Sequence, residues 1–224
     1  MPPVISFIGW HNSGKTTLSS QVVAQLKDRG YTVAVIKSTK DIGIEIDQPQ
    51  TDTAIYRRVG ADSVALLAPD QLIIRGKPPE IGLLALANRY FFDMDIVISE
   101  GFKHAAHVPK IEVRRDTEAP LLRDEVGGVV AIATDWPISG SLCFRIDQIR
   151  EITDFIEAQL LSNRQTPEVE IALTVNGACM SLPESIRSQL AATVGGLLAP
   201  LHSSLPHEDL ELNLRCQLLQ RKTP

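Results

Sequence analysis

The sequence predicts an α/β fold, a mostly parallel sheet flanked by helices, and three observations predict it. Val4 to Ile8 is a short apolar run that stops at a glycine, as a strand buried on both faces does. Gly9-Trp10-His11-Asn12-Ser13-Gly14-Lys15-Thr16 then has the form G-x-x-x-x-G-K-[ST]. After it Leu18, Val22, Val23 and Leu26 recur at helical spacing up to Gly30, and a second apolar run, Tyr31 to Lys37, begins at once. That order is a βαβ unit, expected to be right-handed, opened by a phosphate-cradling loop, so the fold is of the P-loop NTPase type.

The later elements follow from local chemistry. Ser38 to Gln50 lacks a sustained period and reads as a loop, after which Thr51 or Asp52 caps a short helix running to Val59 and ended by Gly60. Ser63 to Ala68 and Gln71 to Arg75 read as a strand pair outside the βαβ order. Ile81, Leu84, Ala87 and Phe91 set a crossover helix within 80–92, which delivers the chain to the strand Asp95 to Gly101. Further strands are expected at Lys110 to Val113, Gly128 to Ala133 and Leu142 to Ile146. Asp147 is the expected cap of a helix carrying Ile149, Ile152, Phe155, Ile156 and Leu160.

Residues 1–161 thus form a nucleotide-binding domain, and the polar, proline-closed stretch 162–167 is its linker. Alternation from Val169 to Val175, the hairpin signal Asn176-Gly177, a helix from Pro183 and a second alternating run, Leu210 to Cys216, predict a small ββαβ module over 168–224.

Composition excludes several classes of function. Apolar residues at 44% and charged residues at 22% are the mixture of a globular chain, and a net charge of −5 argues against a broad nucleic-acid surface. Cys143, Cys179 and Cys216 lie too far apart for a thiolate zinc site or a disulfide framework. The start of the chain has no basic leader and no apolar stretch reaches spanning length, so a cytoplasmic location away from membranes is expected.

In the loop, backbone N–H groups of Asn12, Ser13, Gly14, Lys15, Thr16 and Thr17 are expected to converge on phosphate at a helix N-terminus. The Lys15 ammonium neutralises outer phosphates, and the Thr16 hydroxyl is a ligand for Mg²⁺. Glu100 ends a strand expected beside the first, where P-loop proteins place a carboxylate for metal or water, and Gly101 lets a backbone N–H approach the terminal phosphate. Lys15 and Glu100 are the candidate catalytic pair, Thr16 and Glu100 the metal pair. Asp41, Asp47 and Asp52 crowd the loop after the second strand; for Asp52 helix capping is preferred to a metal role. His11 has no partner at metal-ligand spacing, and His104 and His107, which could form a weak pair after Glu100, are more readily read as exposed loop residues. No N-K-x-D sequence is present, but Asp135 follows a strand where a guanine-reading carboxylate would stand; a turn role before Trp136-Pro137 is equally open.

With these residues placed, the chain resembles the molybdopterin-guanine dinucleotide biosynthesis protein B family, MobB. The likeness runs from about Val4 to about Leu161 and rests on the loop Phe7 to Thr17, Val35-Ile36-Lys37, Asp47-Gln48-Pro49, Asp52-Thr53 and Arg57-Arg58-Val59-Gly60-Ala61. Val97-Ile98-Ser99-Glu100-Gly101-Phe102-Lys103 is the most discriminating run, and Pro109 to Val113 follows it. Where the family commonly carries a histidine-rich stretch after the second strand this chain has Ser38-Thr39-Lys40-Asp41, and Gln50-Thr51 stands where glycine-lysine is common. The resemblance implies a homodimeric, GTP-binding and weakly hydrolysing accessory protein, acting with Mg²⁺ beside the molybdopterin guanylyltransferase, with the molybdopterin cofactor a further candidate ligand. Two rivals remain at this point. One is a P-loop small-molecule kinase, for which Arg114, Arg115 and Arg123 are the candidate phosphate-contacting arginines; the other is a nucleotide-dependent scaffold without useful hydrolysis.

Overall fold

A computed structural model describes residues 1–44, 50–162, 173–175, 178–180 and 182–202. Its centre is a six-stranded, wholly parallel sheet built from β1 (Val4–Ile8), β2 (Val33–Lys37), β5 (Ile96–Glu100), β6 (Lys110–Val113), β7 (Val129–Ala133) and β8 (Cys143–Phe144), in the spatial order β2-β5-β1-β6-β7-β8. β1 is central and buried throughout, which is why it reads as an uninterrupted apolar run. Its side chains alternate between faces. Ile5 and Phe7 join Ile98, Ile111 and Val113 under α1 (Lys15–Asp28) and α4 (Ile149–Leu160), whereas Val4 joins Ala34, Ile36 and Val97 under α3 (Leu83–Tyr90).

Three polar devices tie the layers together. Arg29, at the end of α1, ion-pairs with Asp154 at 2.6 Å and with Glu157 of α4, and the Tyr31 hydroxyl donates to Glu157 at 2.5 Å. The Tyr31 hydroxyl first, and the Arg29 guanidinium next, hold the Glu157 carboxyl below its ordinary value. Lys110 is buried, and its ammonium donates to the carbonyls of Ala105, Val108 and Gly127 at 2.8, 2.9 and 2.9 Å, stitching the loop before β6 to the loop before β7. Burial lowers its pKa from the ordinary lysine value. Buried Glu112 accepts from the N–H groups of Leu122 and Arg123, both at 3.0 Å, and so caps the 3₁₀ turn Leu122–Asp124.

β3 (Ser63–Ala68) and β4 (Gln71–Gly76) pair antiparallel outside the main sheet, as expected, next to α2 (Asp52–Arg58). One cap is settled between the expected alternatives and one differs from the expectation. Thr51, rather than Asp52, accepts from the Ala54 N–H to cap α2. The residue before α4 is Gln148, with no capping side chain, because Asp147 is spent on an ion pair with Arg145 at 2.9 Å. The last strand of the sheet shrinks to Cys143–Phe144.

The chain divides into two compact units, 1–166 with 172–181, and 167–171 with 182–224. β9 (Leu173–Val175) and β10 (Ala178–Met180) form an antiparallel pair that belongs to the first unit and lies near α3, whereas the alternation along the chain groups them with the helix that follows. That helix, α5 (Glu184–His202), is in the second unit. The expected linker after Ser162, the Asn176-Gly177 turn and the strand Leu210 to Cys216 lie outside the described residues. Among the described residues no helix is long and apolar enough to cross a membrane.

Candidate functional site

The loop 9–14 leaves the C-terminal end of the central strand and turns into α1. Gly9 is fixed by close packing: a Cβ there would lie 2.4 Å from the Val113 carbonyl oxygen. Asn12 and Gly14 take the left-handed conformation, with φ of 59° and 89°, which folds the backbone back on itself. Gly14 is the N-cap of α1 and, having no side chain, leaves the helix without a side-chain cap; no acidic residue stands in its first turn. N–H groups that a Ser or Asp would otherwise occupy therefore face outward, the arrangement that suits an anion. Ser13 is buried, and its N–H donates to the Trp10 carbonyl at 3.3 Å.

Lys15, Thr16 and Glu100 come together here. β5 pairs with β1 in the register Phe7↔Glu100, so the carboxylate emerges beside the loop. Thr16 Oγ1 donates to Glu100 Oε2 at 2.8 Å and lies 2.9 Å from Oε1. Lys15 Nζ donates to the Trp10 carbonyl at 2.7 Å. Burial pulls the Lys15 pKa below the ordinary lysine value, with Glu100 opposing the shift and Lys37 adding to it. Thr17 is exposed on the first turn of α1.

Lys37 is a member of the site that the sequence analysis did not assign. It ends β2, pairs in register with Glu100, and places Nζ 3.3 Å from Glu100 Oε1. The signal available was its position at the end of a strand parallel to β5, which becomes informative only once the two strands are known to be neighbours.

The hard oxygen donors of Thr16 and Glu100, in mutual contact, are the donor chemistry Mg²⁺ requires. Among the described residues no group of three or more His, Cys, Asp or Glu is assembled for a metal, so an ion held here draws its remaining ligands from phosphate and water, as Mg²⁺ does.

Other expected positions resolve differently. The Gly101 N–H donates to the Phe7 carbonyl at 3.0 Å; glycine is needed there for a φ of 91° and for the approach of Ser38, whose Cβ would lie 3.3 Å from an added Cβ. Asp135 is exposed at the C-terminal end of β7, on the same sheet edge as the loop but with β6 between β7 and β1, and its charge acts on Arg145. Asp41 is exposed and accepts from the Thr39 hydroxyl at 2.7 Å; Asp47 lies outside the described residues. His11, His104 and His107 are exposed. Arg123 is tied to the Ser139 carbonyl at 3.0 Å and to Ser141, and Arg114 donates to the Thr117 carbonyl at 2.6 Å.

The family model described as molybdopterin guanine dinucleotide synthesis protein B matches residues 4–135. The molybdopterin-guanine dinucleotide biosynthesis adapter protein of Escherichia coli is 28% identical over 163 residues, covering 70% of this chain and 92% of its own. That of Haemophilus influenzae is 30% identical over 158 residues, covering 69% and 88%. A crystal structure of molybdopterin-guanine biosynthesis protein B superposes with a TM-score of 0.57 at 29% identity, covering 70% of this chain and 98% of that one. The chain belongs to the MobB family, and its fold is that family's P-loop NTPase type.

Proposed function

We propose that this MobB-family chain is an adapter in molybdopterin guanine dinucleotide biosynthesis that binds GTP with Mg²⁺ on the loop 9–16 and hydrolyses it slowly. The observation that carries the proposal is the contact between the Thr16 hydroxyl and the Glu100 carboxylate beside Lys15, at the uncapped start of α1. Lys15 supplies the fixed charge for the outer phosphates, the α1 N–H groups hold phosphate oxygens, and Thr16 and Glu100 hold the metal side. A bound Mg²⁺ supplies positive charge between phosphate oxygens. Asp135 is the proposed reader of guanine N1 and N2, a donor pair adenine lacks.

The engagement of two of the three candidate arginines supports slow turnover. A guanidinium at the transferring phosphate is worth about 10³ to 10⁵ in rate. Arg123 and Arg114 are both engaged by backbone carbonyls of their own neighbourhood, which also disfavours a small-molecule kinase with a mobile arginine segment.

The proposed partner is the enzyme that joins GMP to molybdopterin, a choice consistent with the biosynthesis adapter names of the relatives, and the chain is proposed to act as a homodimer. One face of the β3–β4 ribbon supports an assembly: Leu67, Leu72 and Ile74 share it and are 80%, 60% and 55% exposed. Leu67→Asp is expected to shift the protein from dimer to monomer in light scattering.

Titration of the purified protein with GTP and ATP, in wild type and Asp135→Ala, tests the nucleotide. Preference for GTP that erodes in the variant is expected; equal affinities in the wild type would remove the guanine assignment. Single-turnover hydrolysis with and without the guanylyltransferase separates a slow GTPase from a binding scaffold.

A further inference from the structure

β6 pairs with β1 on the side opposite β5, and the two flanking strands deliver different chemistry to the same loop. On the β5 side stand Glu100 and the Thr16 hydroxyl. Beyond the end of β6 the chain reads Arg114-Arg115, and Arg115 reaches the loop. A Cβ placed on Gly14 would lie 3.1 Å from Arg115 Nε, 3.2 Å from Cζ and 3.5 Å from Nη2, so three guanidinium atoms crowd the one cradle position that has no side chain.

Arg115 is held there by its segment and not by bonds of its own. Arg114 Nη2 donates to the Thr117 carbonyl at 2.6 Å, and Trp10 Nε1, from within the loop, donates to the Pro120 carbonyl at 2.8 Å, so residues 114–120 are fastened beside the loop. The Arg115 side chain is exposed and, among the described residues, makes no hydrogen bond or ion pair. Its guanidinium donors are unspent, in a chain whose net charge is −5.

From this geometry, and resting on the nucleotide site proposed above, we infer that Arg115 is a phosphate ligand supplied in cis, and that it grips the phosphates GTP and GDP share. Backbone N–H groups of such a loop cradle the α- and β-phosphates, while the metal and γ-phosphate lie toward the lysine and the carboxylate. Gly14 belongs to the cradle, and Glu100 is on the other flank. Arg115 is therefore a binding cation of the shared phosphates and not an arginine finger. Glycine at position 14 is required by its φ of 89°, and the absence of a side chain leaves the guanidinium room beside it.

The test is calorimetric titration of the full chain with GDP and with GTP–Mg²⁺, in wild type, Arg115→Ala, Arg115→Gln, Arg115→Lys and Lys15→Ala. Loss of a charge-assisted phosphate contact is expected to weaken GDP and GTP alike, by about 10- to 100-fold, in the Ala and Gln variants. Lysine is expected to restore part of the loss, because it keeps the charge but not the fork. The melting temperature of the nucleotide-free variants is expected to stay at the wild-type value, which a structural role for Arg115 would not allow. Unchanged GDP affinity in Arg115→Ala, with binding abolished in Lys15→Ala, would overturn this inference and leave the nucleotide site standing. A loss confined to GTP would overturn it in favour of a γ-phosphate contact. Wild-type affinities in Lys15→Ala would defeat the nucleotide site itself, and this inference with it.

Discussion

Replacing Glu100 by glutamine separates a metal-side carboxylate from a buried structural one. The Glu100 side chain is 12% exposed, accepts from the Thr16 hydroxyl at 2.8 Å and lies 3.3 Å from Lys37 Nζ. The amide preserves shape and one acceptor but removes the charge and turns N–H donors toward Thr16 or Lys37. A hydrogen bond to a charged group contributes about 1.5–3 kcal/mol. Thr16 can still donate to the amide oxygen, and the Lys37 side chain is more than half exposed, so solvent screens that pair to about 1 kcal/mol or less. The net loss is about 1–2 kcal/mol of stability, which for a chain of this size lowers Tm by about 2–8 °C. Function should suffer more. In the variant, the strengthening of GTP binding by Mg²⁺ is expected to shrink by about tenfold or more, and single-turnover hydrolysis to fall while nucleotide remains bound. Thermal melts, titrations with and without Mg²⁺, and quenched single-turnover assays provide the three readouts. Wild-type Mg²⁺ dependence and wild-type turnover together would refute the assigned role of Glu100.

Lys110→Met is expected to cost about 3 kcal/mol or more, since it strips the donor from three carbonyls around a buried site; a denaturant titration showing less than about 1 kcal/mol would mean water replaces the ammonium. Acid should weaken the seam between α1 and α4. Glu157 has a folded-state pKa below its unfolded value, so its contribution is fully present above the unfolded value near 4.5 and is lost as pH falls from there through the folded value. Glu157→Gln is expected to flatten the dependence of Tm on pH in that acid window, and an unaltered slope would dissociate the Arg29–Tyr31–Glu157 cluster from acid stability.

Much of the fold was legible because burial on both faces imposes uninterrupted apolar runs, as in β1 and β5, and because glycine marks ends, as Gly30 does after α1. Lys15, Thr16 and Glu100 were legible for a related reason: a loop that must cradle phosphate has a fixed spacing, and a strand ending in a carboxylate announces itself. Lys37 was not, and Arg115 could not be told apart from Arg114 and Arg123, because their relation to the site depends on which strands are neighbours, and the order β2-β5-β1-β6 is written in long-range pairing. Gly101 illustrates another limit. Its type was readable, but whether its N–H faces a ligand or the Phe7 carbonyl depends on ladder register. Caps fail at a finer scale still, since Thr51 and Asp52 are both good caps, and only the backbone conformation at Thr51 decides between them.

Binding of GTP–Mg²⁺ to wild type and Lys15→Ala, measured by calorimetry on proteins with matching melting curves, tests the central claim most directly. Lys15 carries the one ammonium built into the loop, its Nζ lies on the Trp10 carbonyl, and it takes no part in the apolar core. Saturable binding by the wild type and a loss of about 100-fold or more in the folded variant are expected. Equal affinity of the two proteins would contradict the assignment of residues 9–16 as the phosphate site.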